Sequence, residues 1–316
     1  MLSVPRGLAL FRGIRRPSVG LRLRAATRDE FGAISSLVAA RCVENVHVGA
    51  ALWTQDAFLA GRHRGLWSLR EGGRLVGVLQ HCRGISWALR EGTVQSSAFS
   101  QSIADYLARA VALSEVIFGR EDEVSEVLES CRPRGVYPLE LRRQVMMAVP
   151  RHFAPVLPAT RGAFALRRAV HDDLPWLLST HAAMCIEDLG VDQVARNPRG
   201  YRRYFRELIA GQQVFVGEID GARVFKVETP LQSEGAQLIE GVYTCPDARG
   251  RGCASRAVAS LAIGAAREGQ RACLYVHRRN EVARSVYRRI GFRRICSWTT
   301  AVISADGRAP LRPATI

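Results

Sequence analysis

The chain has 316 residues, 47% of them hydrophobic, which is too long for one ordinary domain and suits two packed ones. No apolar run approaches the roughly 20 residues of a membrane span, which argues against a membrane partner. A formal net charge of +16 rests on 45 basic residues of which only Lys226 is lysine; this is either the mark of an arginine-rich codon bias or an attraction for polyanionic or acidic partners. From the N-terminus, residues 1–20 carry Arg6, Arg12, Arg15 and Arg16 and no acid. They read as a basic disordered tail, with a transit peptide or a start codon assigned too early as alternatives.

Residues 21–149 read as a first domain. Leu21 to Ala25 alternates like a strand. Thr27 with Glu30 forms a capping box before a helix whose apolar face is Phe31, Ile34, Leu37 and Val38. Leu66 to Arg70 and Leu75 to Leu79 form a hairpin across Glu71-Gly-Gly73. Helices follow at Ser97 to Ala112 and Glu121 to Cys131, with strands at Glu115 to Phe118 and Leu139 to Val149. Residues 150–161, rich in proline, read as a linker.

Residues 162–306 read as a second domain, and 307–316 as a tail. A strand at Phe164 to Arg167 precedes a helix that runs from about Leu174 to Glu187, and a second, amphipathic helix spans Tyr201 to Ala210. The hairpin Gln213 to Glu218 and Arg223 to Glu228 turns at Asp220-Gly221. A strand from Gln237 to Thr244 then enters the loop Arg249-Gly-Arg-Gly-Cys-Ala254. Gly250 and Gly252 let this backbone turn tightly and bring its N–H groups to an anion, and the helix from Cys253 to Glu268 aims its positive end at the same place. Arg249 and Arg251 add cationic forks, so the loop predicts a phosphorylated ligand. Cys253, inside the loop, reads as a space-filler; a thiol with a lowered pKa is the alternative. After a strand at Ala272 to Val276, Asn280 caps a helix from Glu281 to Ile290, stopped by Gly291. Ala283 and Tyr287 lie one turn apart on it.

The eight cysteines are scattered without CxxC or Cys/His spacing. That argues against zinc and a disulfide framework and for a reducing, cytoplasmic setting. Arginines that are scattered and not interleaved with aromatics argue against nucleic acid.

Arg249-x-x-Gly252-x-Ala254, followed by Asn280-x-x-Ala283-x-x-x-Tyr287-x-x-x-Gly291-Phe292, resembles the acyl-CoA loop and the next element of the GNAT N-acetyltransferase superfamily. The close resemblance covers about the last 140 residues. The whole chain looks like two-part actinobacterial members whose front half is a domain of unknown function. The element order of residues 21–149 is similar, but the stretch from Ser86 to Ile103 lacks the phosphate loop. The fold expected is therefore α/β, two tandem GNAT-like domains, each with a mixed, mostly antiparallel sheet flanked by helices, the first a degenerate copy.

The resemblance implies acetyl-CoA as cosubstrate, no metal, and transfer of acetyl to a primary amine, on a small molecule or a protein, by direct attack. It places cofactor contacts on Val242, Tyr243 and Thr244, on the loop and helix start Arg249, Gly250, Arg251, Gly252, Cys253, Ala254 and Ser255, and on Asn280 and Ala283. It gives Tyr287 the role of protonating the leaving thiol; a packed aromatic is the plain alternative. Glu240, Glu228 and Glu218 are candidate bases on central strands, where most acids are merely solvated; Glu240 and Glu228 are preferred. Glu187 and Asp188 form an acidic pair suited to an ammonium group, or else a solvated helix end. His277 stands where related chains often carry a neutral residue, and reads as a base, a cofactor contact or a surface residue. The rival function is a CoA-binding pseudoenzyme or regulatory module.

Overall fold

The computed structural model describes residues 21–53, 65–82, 84–91, 97–111, 114–153 and 157–304. The expected tails, 1–20 and 307–316, lie outside them. The first half runs β1 (Arg22–Ala25), α1 (Phe31–Ala40), α2 (Val46–Trp53), β2 (Gly65–Glu71), β3 (Arg74–Cys82), β4 (Gly84–Leu89), α3 (Ser97–Ala110), β5 (Ser114–Arg120), α4 (Glu121–Cys131) and β6 (Tyr137–Ala148). The second half runs β7 (Phe164–Arg168), α5 (Leu174–Leu189), α6 (Gln193–Arg196), α7 (Pro198–Ala210), β8 (Val214–Ile219), β9 (Ala222–Gln232), β10 (Ala236–Thr244), α8 (Cys253–Arg267), β11 (Arg271–His277), α9 (Glu281–Ile290) and β12 (Arg293–Ser304). Apart from the short α6, the second half repeats the element order of the first.

Local chemistry explains most of the boundaries. The Glu30 carboxylate accepts the Thr27 N–H at 3.0 Å, closing the start of α1. Asp220 and Gly221 both take positive φ (51° and 79°), the mirror-image turn that matches strand twist and joins β8 to β9. Asn280 accepts the Ala283 N–H at 3.0 Å and starts α9, which ends on left-handed Gly291. Phe31 departs from the expected apolar face of α1: it is 44% exposed, while Ile34, Leu37 and Val38 are buried.

Among the described residues, all strands lie in one twelve-stranded sheet ordered β1-β2-β3-β4-β5-β12-β6-β11-β10-β9-β8-β7. Read inward from either edge, five strands of one half are followed by the sixth strand of the other. β6 leaves its own half to pair with β11, Ala148 opposite Cys273 and Gln144 opposite His277. β12 crosses the other way and pairs with β5 from Trp298–Arg120 to Ser304–Ser114. β6 and β12 then pair with each other along the seam. The cores follow the exchange. Val145, Met147 and Val149 pack with Phe225, Ile239 and α8 in the second half, while Ala301 and Ile303 pack among Leu107, Val127 and Ile117 in the first.

A chain trimmed to residues 162–316 would lose β6, leaving β11 with a bare hydrogen-bonding edge and an open core. It is expected to aggregate when produced alone and to become soluble when co-produced with residues 1–161. A soluble, cooperatively unfolding fragment would contradict the exchange.

Candidate active site

The Arg249–Gly252 loop is built to leave its amides open. Gly250 and Gly252 sit at φ 74° and 85°, where a side chain is strained. Ala248 and Arg249 N–H bond back to Cys245 and Pro246, and Arg256 N–H begins the helical ladder on Gly252 O. Among the described residues, no N–H from Gly250 through Ser255 has an acceptor. The segment after the linker supports the loop from behind. Arg161 N–H donates to Arg251 O at 2.9 Å, and Arg256 Nη1 donates to Pro158 O at 3.1 Å. A Cβ on Gly252 would stand 2.8 Å from Ala159 O, whereas one on Gly250 would meet nothing within 4 Å. In front is an open cleft of about 550 Å³ lined by Arg161, Gly162, Asp220, Asp247, Gly250 and Arg251, among others. A run of unpaired amides at a helix start, with a cationic side chain beside it, suits a phosphate-bearing anion.

Arg249 does something other than what its position in the motif suggests. Its Nη2 donates to Glu187 at 2.6 Å, its Nε to Thr244 O at 3.1 Å, and its guanidinium lies over the Tyr243 ring. Tyr243 donates to the other oxygen of Glu187, also at 2.6 Å. These two bonds hold the Glu187 carboxyl below its usual range, and burial with the Glu187 charge pushes the Tyr243 phenol up to about 12. Glu187 and Arg249 thus clamp the end of α5 to the loop, and neither presents a free charge. Both arginines are exposed, but Arg251 has no ion-pair partner among the described residues. Cys253 is 1% exposed with a pKa raised by burial, a space-filler in the core.

Next to the loop the sheet opens. β10 and β11 pair in parallel only from Ala236–Arg271 to Leu238–Cys273, and beyond that they diverge. On its other side β10 skips register between Glu240 and Tyr243 against β9, with Gly241 at φ 58°. Lys226 fixes this bulge: fully buried, it donates to Gly241 O at 3.0 Å and to Glu228 Oε1 at 2.6 Å. Val242 has no ladder partner there. The first half has the same split, since β4 and β5 pair only at Ile85–Ile117. There the Trp87 indole covers Gly119, and its Nε1 donates to buried Glu123 at 2.7 Å. Residues 92–96, within the stretch read as lacking a phosphate loop, are outside the described residues.

The candidate acids have different environments. Glu228 is 2% exposed and accepts from Lys226 and, at 2.7 Å, from Tyr204, with His181 Nδ1 3.6 Å away. Burial opposes its charge, but Lys226 and His181 outweigh burial and hold the carboxyl far below the ordinary range. A carboxylate so fully engaged is a poor proton acceptor, so the expectation for Glu228 as base gives way to a role in fixing the bulge. Glu218 is likewise taken up, by Arg167 at 2.6 Å. Glu240 is half-buried opposite Glu228. Burial and then the Glu228 charge push it up to about 7, partly offset by the Tyr275 hydroxyl and by Lys226.

Tyr287 packs beside Phe292, 7% exposed, and no partner for its hydroxyl occurs among the described residues. Burial, then the nearby Asp188 charge, raise its pKa well above the ordinary phenol value, so it stays protonated. The Asp188 charge also acts on His277, whose pKa is lowered by burial and by Arg279 and Arg278. The charge of Asp188 on α5 is thus felt by both His277 on β11 and Tyr287 on α9. Asn280 is spent on capping, and Ala283 packs against the second half's core. Sequence reasoning passed over Lys226, Tyr204, His181, Tyr275 and His47, all of which surround the acids. A lone lysine in a chain of arginines was the one available signal.

The fold is that of the GNAT acetyltransferases in tandem form. Residues 226–302, from Lys226 through α9 into β12, match the family model described as FR47-like protein. No curated protein matches the chain. Among solved structures, a GCN5-related N-acetyltransferase from Sphaerobacter thermophilus is similar at 16% identity and TM-score 0.55, covering 94% of this chain and 98% of that one. A tandem GNAT protein from the clavulanic acid biosynthesis pathway is similar at 14% identity and TM-score 0.53, covering 90% and 98%. A GNAT-family acetyltransferase from Colwellia psychrerythraea is similar at 14% identity and TM-score 0.52, covering 89% and 98%.

Proposed function

We propose that the second half transfers the acetyl group of acetyl-CoA to a primary amine by direct attack, without a covalent enzyme intermediate. The observation that carries this reading is the run of unpaired amides from Gly250 to Ser255 at the foot of the opening between β10 and β11. The amides and Arg251 hold the diphosphate, and the exposed edge of β10 around Val242 receives the thioester arm. Asp188 attracts the ammonium form of the acceptor at the mouth. Glu240, directly or through a water, takes the proton the amine must lose before it attacks. Tyr287 donates a hydrogen bond to the departing sulfur. The acceptor belongs to a small molecule or a protein.

A base with a pKa near 7 must be ionised to work, so kcat/KM should rise with pH through about 7 and then level off. Glu240→Gln should flatten that rise and lower kcat/KM by roughly 100-fold, the scale of one general base. Thiol release across an amine panel, with mass spectrometry of the products, checks both. A chain that binds acetyl-CoA but releases no thiol with any amine would be a binding module.

A further inference from the structure

α2 belongs to the first half and packs Val48, Ala51 and Leu52 into its core, but its other side, at Val46 and Gly49, packs on the sheet of the second. A Cβ on Gly49 would stand 2.7 Å from Ser233 Cβ in the β9–β10 turn, and one on Gly235 in the same turn would stand 2.9 Å from Cys42 Cβ. Cβ-less residues at both points let the two halves dock this closely. The docking brings His47 of α2 to β11, where its Nε2 is hydrogen-bonded to the Tyr275 hydroxyl. Packing fixes both rings. His47 lies against Phe118 of β5 with centroids 4.0 Å apart, and Tyr275 stacks on Trp298 of β12 at 5.6 Å and 9°. Glu240 and Tyr275 stand two residues past Leu238 and Cys273, the last pair of the parallel β10–β11 ladder, which sets the Tyr275 hydroxyl beside Glu240.

The chemistry of these groups sets the direction of the chain. Burial pushes the His47 pKa down to about 3, so the ring is neutral and carries one N–H. A phenol that donates to a carboxylate keeps lone pairs to accept. The tautomer with its proton on Nε2 therefore completes a line from His47 Nε2–H to Tyr275 O–H to Glu240. The other titratable groups around Glu240 and Tyr275 are Glu228 and Lys226 from β9, Tyr204 from α7 and Cys273 from β11, with His181 of α5 beyond Glu228.

We infer that His47, supplied by the first half, is a positioning residue for the site in the second: it orients the Tyr275 hydroxyl so that its proton points at Glu240. This rests on Glu240 being the base. It makes the front half a working part of the transferase and not an appendage.

The test uses the full-length chain with His47→Leu, His47→Gln, Tyr275→Phe and the His47→Leu/Tyr275→Phe double variant. His47→Leu should lower kcat roughly 10-fold, the scale of one hydrogen bond to a charged group, with acetyl-CoA binding within about twofold of wild type. Weaker donation from Tyr275 leaves Glu240 harder to ionise, so the acidic limb of kcat/KM moves to higher pH. His47→Gln, whose amide N–H can replace Nε2–H, should recover most of the rate, and the double variant should be no slower than Tyr275→Phe alone. A wild-type pH profile in His47→Leu, an equal loss in His47→Gln, or an additive double variant would overturn the inference. Thiol release by the wild type is the separate control for the transferase reading. If it releases none, carbon-13 NMR of the Glu240 carboxyl decides. A titration midpoint that rises from about 7 in His47→Leu supports the inference, and an unmoved one overturns it.

Discussion

Gly252→Val is expected to weaken acetyl-CoA binding by roughly 100-fold, or about 2.8 kcal/mol, whereas Gly250→Ala weakens it only severalfold. Both glycines have positive φ, so any side chain adds about 1–2 kcal/mol of backbone strain at either position. They differ in what surrounds them. At Gly252 the first added carbon meets Ala159 O at 2.8 Å, and the loop must move away from the segment that supports it. That motion turns the amides from Gly250 to Ser255 away from the anion they converge on, and each charge-assisted bond lost removes roughly 1.5–3 kcal/mol. At Gly250 nothing stands within 4 Å, so only the backbone strain remains. Calorimetric titration with acetyl-CoA, beside thermal melts of each variant, separates loss of the cradle from loss of the fold. Equal affinities for the two variants would remove the loop from the account.

Tyr287→Phe should lower kcat about 100-fold or more while acetyl-CoA binding stays within about twofold of wild type. The ring is buried and packs on Phe292, and phenylalanine fills the same space, so the fold should be retained. What disappears is a protonated hydroxyl without another partner among the described residues. Its interaction with sulfur matters only as negative charge builds on the leaving group, so its loss falls on kcat and not on ground-state binding. Pre-steady-state thiol release would measure this directly. An unchanged kcat would make Tyr287 a packing residue.

The elements around the loop were legible because their chemistry is local. Glycines with positive φ at Gly250, Gly252 and Gly291 and an asparagine cap at Asn280 all act within a few residues, and the structure places each where the sequence did. The exchange of β6 and β12 was not legible, because a strand's periodicity says which face is buried and not which neighbour it pairs with. For the same reason the reach of His47 to Tyr275, which spans 228 residues of sequence, left no trace in either segment. The roles of the acids also depended on distant partners. Glu228 and Glu240 look alike in sequence, one strand apart. Lys226, 2.6 Å from the first, together with His181 makes it a fixed anion, and burial beside that anion pushes the other up to about 7. Glu187 and Arg249 illustrate the same point in reverse, since each was read as a ligand contact and the two bind each other.

The most direct test is a calorimetric titration of the full-length chain with acetyl-CoA, repeated on Gly252→Val. The account predicts one site per chain, in the second half, and its loss in the variant, because the amides after Arg249 are open while in the first half the Trp87 ring lies over Gly119 where β4 and β5 part. No binding, two sites per chain, or one site indifferent to Gly252 would contradict it.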